Sequence, residues 1–216
     1  MPFSFFFRLL TDDYYLALGK FVTEFSEVEK AMQIALWTVS KTEEPVAQAV
    51  FSGVRANEAC NKITRIGDAE NWSQIKKDEW KIITDRLSIF RSLRNDILHY
   101  GVEWQRPNEW NTTNRTFAHT AEKVSNTPIT IPILQAATDD LHKLGFHLFK
   151  FLYSDDMSPE NQATIASFVA HAWRYTPPLQ EGRPNRNPDS DSMQSRPPRP
   201  SAASRRKAAL EKSKKT

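Results

Sequence analysis

Three observations predict an all-α fold, a helical bundle of five to six helices with a short β-hairpin or irregular insert after the fourth helix and a disordered C-terminal tail. Apolar residues recur at intervals of three and four over several stretches, most of them opened by a capping residue. That period is lost between Gly101 and about Ile133, where short β-branched or aromatic runs alternate with Pro, Asn and Thr. Beyond Tyr175 the composition turns to Pro, Ser, Arg and Lys, which cannot build a core. The expected organisation is an N-terminal segment over 1–10, one helical domain over 11–175 and the tail over 176–216.

Thr11 offers an N-cap and Asp12 and Asp13 first-turn acids for a helix to about Ser40, with Phe21, Phe25, Val28, Met32 and Leu36 on one face. Glu43-Glu44-Pro45 opens a second helix that runs to about Ser52 and stops at Gly53. A third spans about Val54 to Glu70 and carries Cys60, Ile63 and Ile66. Ser73 caps the fourth and longest, in which Trp80, Ile83, Leu87, Phe90 and Ile97 form the inward stripe and Gly101 supplies the stop. In the insert, Val102–Gln105, Arg115–His119 and Ile129–Ile131 are the extended candidates. Two readings stand for Trp104, Trp110 and Phe117: surfaces on which bases stack, or pins that fix the insert to the core. Helix returns from Leu134 to Tyr153, and a last one from Pro159 to about Trp173 has Ser158 as its cap.

A 216-residue chain with 39% hydrophobic residues, 13 Phe and 6 Trp has material for one core of ordinary size. Its single cysteine, Cys60, excludes an internal disulfide and suits a reducing, cytoplasmic home, and on a helix without a basic neighbour in sequence it reads as a core residue. The apolar start, Met1–Leu10, lacks the basic leader and cleavage site of a signal peptide, and no stretch is long enough to span a bilayer, so no membrane association is expected. From Pro177 onward ten Lys and Arg face four Asp and Glu, so the net +3 resides in the tail and the first 176 residues carry −3. The helical part therefore has no electrostatic footprint for nucleic acid, and any such function rests on a site. The tail reads either as a solubilising extension or as an arm for phosphate or a proline-binding partner. His142 and His147 lie about 140° apart on a helical wheel and cannot share a metal, and no phosphate loop or dinucleotide turn is present, so neither metal nor cofactor is expected.

Two charges stand on the wrong face. Arg94 lies within about 20° of Leu87 and Ile83 on the wheel, where a guanidinium that keeps its charge needs a partner. Glu29 lies on the apolar arc of the first helix between Phe25 and Leu36, and a buried ion tolerates burial only when paired. Glu29 is thus expected to reach the Arg91 and Arg94 region, unless it lies at the solvated edge of its stripe. Arg91, Asn95 and His99, four apart, form a polar column beside Arg94, with His99 at the helix end.

The run Arg94-Asn95-Asp96-Ile97-Leu98-His99, an arginine, a polar residue, three more and a histidine at a helix terminus, resembles the signature of the HEPN superfamily. The resemblance implies a compact helical bundle that pairs as a homodimer, two motifs facing each other across a two-fold interface. Many proteins that look like this are metal-independent endoribonucleases of toxin–antitoxin or phage-defence systems, and others bind RNA or nucleotides without catalysis. It implies that Arg94 holds the scissile phosphate, that His99 serves as base or acid, and that Asn95 orients one of them, with Glu29, Arg91 and Tyr100 in support. RNA is the implied substrate, and an antitoxin or regulatory protein a further partner. In one branch a modifiable tyrosine lies two residues after the histidine; here Tyr100 follows directly and Gly101 takes that place. The rival reading is a non-catalytic helical module that binds RNA, nucleotide or a protein, with Arg94 and His99 closing the helix structurally.

Overall fold

The computed structural model describes residues 10–106, 109–121 and 124–178, with main chain only at 104–106. Residues 1–9 and 179–216, on which most of the expected N-terminal segment and tail fall, lie outside the described residues, as does the side chain of Trp104. The chain divides into Met1–Leu179, which holds every described element, and Gln180–Thr216.

Among the described residues six α-helices form the expected bundle: α1 (Asp12–Ser40), α2 (Glu44–Phe51), α3 (Ala56–Ala69), α4 (Gln74–Tyr100), α5 (Ile131–Tyr153) and α6 (Pro159–Ala170). Their starts are chemical. Thr11, Ser73, Thr130 and Ser158 each accept a main-chain N–H through the side-chain oxygen, which satisfies donors a helix start leaves open. Thr130 and Pro132 start α5 ahead of the apolar run beginning at Leu134. α1 packs along α5 and α3, and α4 packs on α5. Phe21, Phe25, Met32 and Leu36 of α1 are buried in one core with Ile63 of α3, Phe90 of α4 and Leu141 of α5. Each such side chain contributes about 1.5–3 kcal/mol when removed from water. The α4 stripe read from the sequence is buried at every position, as is Cys60, whose thiol burial pushes up to about 12. Trp72 lies flat on Gly67, where a Cβ would stand 2.5 Å from the ring, and Trp72 and Trp80 both meet Phe151 of α5.

The insert is an antiparallel sheet of three strands, in the order β1 (Glu103–Arg106), β2 (Glu109–Thr113) and β3 (Asn126–Pro128). Two of the three extended candidates read from the sequence take other roles: Arg115–Phe117 is a turn, and Ile131 already belongs to α5. β1 falls on the first candidate, whereas β2 and β3 fall on Asn- and Thr-rich runs whose Thr112 and Thr127 hydroxyls bond Asp96 of α4. Trp110, buried against Tyr14 of α1 with ring centroids 4.8 Å apart, pins the sheet to the core and offers no face to a base.

α6 stops short of the expected Trp173. Residues 171–178 leave the helix and run back extended over α4 and α5 as a strap. The cause is Asp140 of α5, 2% exposed, whose carboxylate accepts the main-chain N–H of Arg174 at 2.9 Å and of Tyr175 at 2.7 Å. Lys143 donates to the His171 carbonyl, and the Arg174 guanidinium pairs with Asp139. Trp173 then lies 4.5 Å from the Arg86 guanidinium and 4.3 Å from the Lys143 ammonium, and stacks on His147. Tyr175 is buried beside Phe90. No described helix is long and apolar enough to cross a membrane.

Two stability outcomes follow from the strap. Asp140→Ala leaves two main-chain donors without their acceptor and is expected to cost about 3 kcal/mol in urea unfolding, with faster amide exchange confined to 171–178. At His147, burial, joined by the charges of Lys143 and Lys150, pushes the pKa from 6.5 down to about 4. The unfolded chain takes the proton first, so this stabilisation is complete above about 6.5 and is lost as pH falls towards 4. For a half-buried ring the loss is on the order of 2 kcal/mol. His147→Phe should therefore narrow the gap between urea midpoints at pH 7 and pH 4.5; an unchanged gap would place the acid sensitivity elsewhere.

Candidate active site at the end of α4

The last two turns of α4 carry every residue of the sequence motif, and the helix ends in a way that presents them. Gly101 closes it with φ 69° and ψ −165°, a conformation that side chains resist, and its N–H donates to the Ile97 carbonyl at 3.2 Å. The chain then turns sharply into β1, which leaves His99 exposed at the tip.

Arg94 is half-buried. Its guanidinium lies 5.6 Å from the centroid of the Phe25 ring of α1, and its Nη1 donates to the Asn95 side-chain oxygen at 3.0 Å. The ring face stabilises the cation while the amide orients it, which leaves the remaining N–H donors for another acceptor. Arg91, also half-buried, turns towards α3, where its charge acts on the Cys60 thiol against the larger effect of burial. Glu29 does not supply the expected partner: among the described residues no ion pair within 4.0 Å joins it to Arg91 or Arg94. It is half-buried at the edge of its stripe, where water solvates a carboxylate without a cation.

Five helical residues place Arg94 and His99 about 140° apart around the axis and about 7.5 Å apart along it, so the two do not converge by themselves. Asn95 links them. It holds the guanidinium, and it stands one turn below His99 on the same face. A phosphate bridging that face can meet the arginine through its length and the imidazole directly, an arrangement suited to binding an anion and moving a proton beside it.

The motif also contains a structural position that the spacing did not single out. Asp96 is 7% exposed; its carboxylate accepts from the Thr127 hydroxyl at 3.3 Å and its main-chain carbonyl from the Thr112 hydroxyl at 2.8 Å. Asp96 thereby ties β2 and β3 to the last turns of α4. Its charge also acts on the Tyr175 hydroxyl, which burial first pushes up to about 12. The sheet is thus bonded to this residue, and the strap lies within reach of its charge. On the outer side Tyr100 is half-buried, its ring centroid 5.7 Å from that of Phe117 in the turn after β2. A cavity of about 220 Å³ lies elsewhere, between α3 and the first half of α4, and is lined by Gly67, Trp72, Lys77 and Trp80.

No family model, curated protein or solved structure matches this chain. The site therefore stands on its own residues.

Gly101→Ala puts a Cβ into open space but into a conformation only glycine adopts freely. The expected cost is about 1–3 kcal/mol in equilibrium unfolding, with chemical-shift changes concentrated at His99, Tyr100 and β1. A cost below about 0.5 kcal/mol would mean that the helix end relaxes without the glycine.

Proposed function

We propose that this protein is a metal-independent endoribonuclease of the HEPN type, acting in a toxin or phage-defence role in the cytoplasm. The single observation that carries the reading is the Arg94–Asn95 hydrogen bond one turn below an exposed His99: a fixed cation with spare donors beside a solvent-facing imidazole.

In the proposed reaction the RNA's own 2′-hydroxyl attacks the adjacent phosphorus. An imidazole takes its proton, the P–O5′ bond breaks, and a protonated imidazole returns a proton to O5′, giving a 2′,3′-cyclic phosphate and a 5′-hydroxyl. Arg94 holds the non-bridging oxygens and stabilises the charge that grows on them. Because Arg94 and His99 diverge on one helix, a homodimer serves the chemistry better than a monomer: it brings two His99 side chains, one as base and one as acid. An antitoxin or regulatory protein would be the further partner, and the buried thiol of Cys60 suits a reducing compartment.

A second reading, a non-catalytic helical module, is favoured by the same guanidinium. Arg94 already has Asn95 and the Phe25 ring, as a structural arginine would.

The test is incubation of the purified full chain with mixed-sequence RNA in EDTA, beside Arg94→Ala and His99→Ala variants shown to fold. Cyclic-phosphate ends that fall at least about a hundredfold in both variants support the ribonuclease. Intact RNA with the wild-type protein, at a concentration where it is dimeric, would give the assignment to the second reading.

A further inference from the structure

Phe117 is 63% exposed, more than any other large aromatic of the described core or surface. It stands on a built turn. Its N–H and that of Ala118 both donate to the Asn114 carbonyl, at 2.8 and 2.9 Å. The Asn114 side-chain oxygen accepts the Ser125 N–H at 2.7 Å, and the Arg115 N–H donates to the buried Thr113 hydroxyl at 3.3 Å. The turn is closed at its base by these bonds and, through Thr112 and Asp96, anchored to the same turns of α4 that carry the motif. An aromatic ring held in water on such a support loses little freedom when something stacks on it.

Its neighbour fixes what that something is. The Tyr100 ring, next in sequence to His99, is tilted 43° against Phe117 with centroids 5.7 Å apart, and exposed Arg115 and His119 flank Phe117 on the same loop. Two aromatic rings at the helix end that carries the imidazole, with cationic side chains on the same loop, match a base and its flanking phosphates. We infer that Phe117 and Tyr100 form a stacking platform for an unpaired base of the bound RNA. This inference rests on the ribonuclease reading of Arg94 and His99. A base within a duplex has both faces covered by its neighbours and cannot enter.

The test measures binding of a fluorescent single-stranded oligoribonucleotide by anisotropy, in the full-length His99→Ala background so that nothing is cleaved. Phe117 is replaced by Ala, Leu or Trp, with circular dichroism and the oligomeric state recorded for each. Phe117→Ala is expected to weaken binding on the order of ten- to a hundredfold, Phe117→Trp to keep it, and Phe117→Leu to behave like Ala. Equal affinity of the Ala variant and its parent overturns the platform and leaves the ribonuclease reading standing. Leu matching Trp also overturns it, since bulk without a π-face would then suffice. Loss of dimer in Phe117→Ala would make the ring a contact between two copies instead. A parent that binds no RNA overturns the platform, while the ribonuclease reading is decided by cleavage with the wild-type chain.

Discussion

The architecture turns on a carboxylate placed where helix, sheet and strap meet. Asp96 cannot keep its charge out of water without donors, and the donors come from chain far away in sequence: Thr127 for the carboxylate, with Thr112 on the carbonyl of the same residue. Satisfying that one side chain fixes how the sheet sits on α4, hence where the turn bearing Phe117 stands relative to His99. The Asp96 charge also acts on the Tyr175 hydroxyl of the strap. A buried carboxylate of this kind leaves the register of the sheet on α4 little freedom, because breaking its bonds would strand a charge away from water.

Much of the bundle was legible because its signals are local. Caps at Thr11, Ser73 and Ser158 and the α4 stripe from Trp80 to Ile97 follow from spacing and side-chain chemistry within one or two turns. β1 was legible at Val102–Gln105, but β2 and β3 were not, since Glu109–Thr113 and Asn126–Pro128 are held by hydroxyl bonds to α4 and by register with each other. The early stop of α6 was hidden for the same reason: its cause, Asp140, lies in α5. Here a signal existed. Asp140 stands three residues after Ala137 and four before Leu144, inside the inner face of α5, and the rule that marked Arg94 and Glu29 marks it equally. Of the charges placed on apolar arcs, Asp140 is buried and bonded, Arg94 is half-buried on a ring, and Glu29 is left to water.

At the candidate site the motif residues were legible one by one, but not their relations. Spacing puts Arg94 beside Asn95 and Asn95 beneath His99, and the structure adds which bond forms: the amide takes the guanidinium, with Phe25 behind it. The pairing with Glu29 failed because an aromatic face did the work assigned to a carboxylate. Trp110 and Phe117, alike in sequence context, part company in three dimensions, one buried on Tyr14 and the other in solvent beside Tyr100. Only burial separates a core pin from a surface ring, and burial is a property of the whole chain.

The main partner of α1 is α5, and between Ser40 and Ile131 lie three helices and the sheet. During synthesis the first helix therefore meets α3 early but lacks its main partner until most of the domain has left the ribosome. Contacts so distant along the chain form late, and they give the nascent protein a long interval without a closed core. Phe25, which supports Arg94, belongs to that waiting helix. The ring behind the guanidinium is therefore carried by a helix whose main partner is among the last elements to be made.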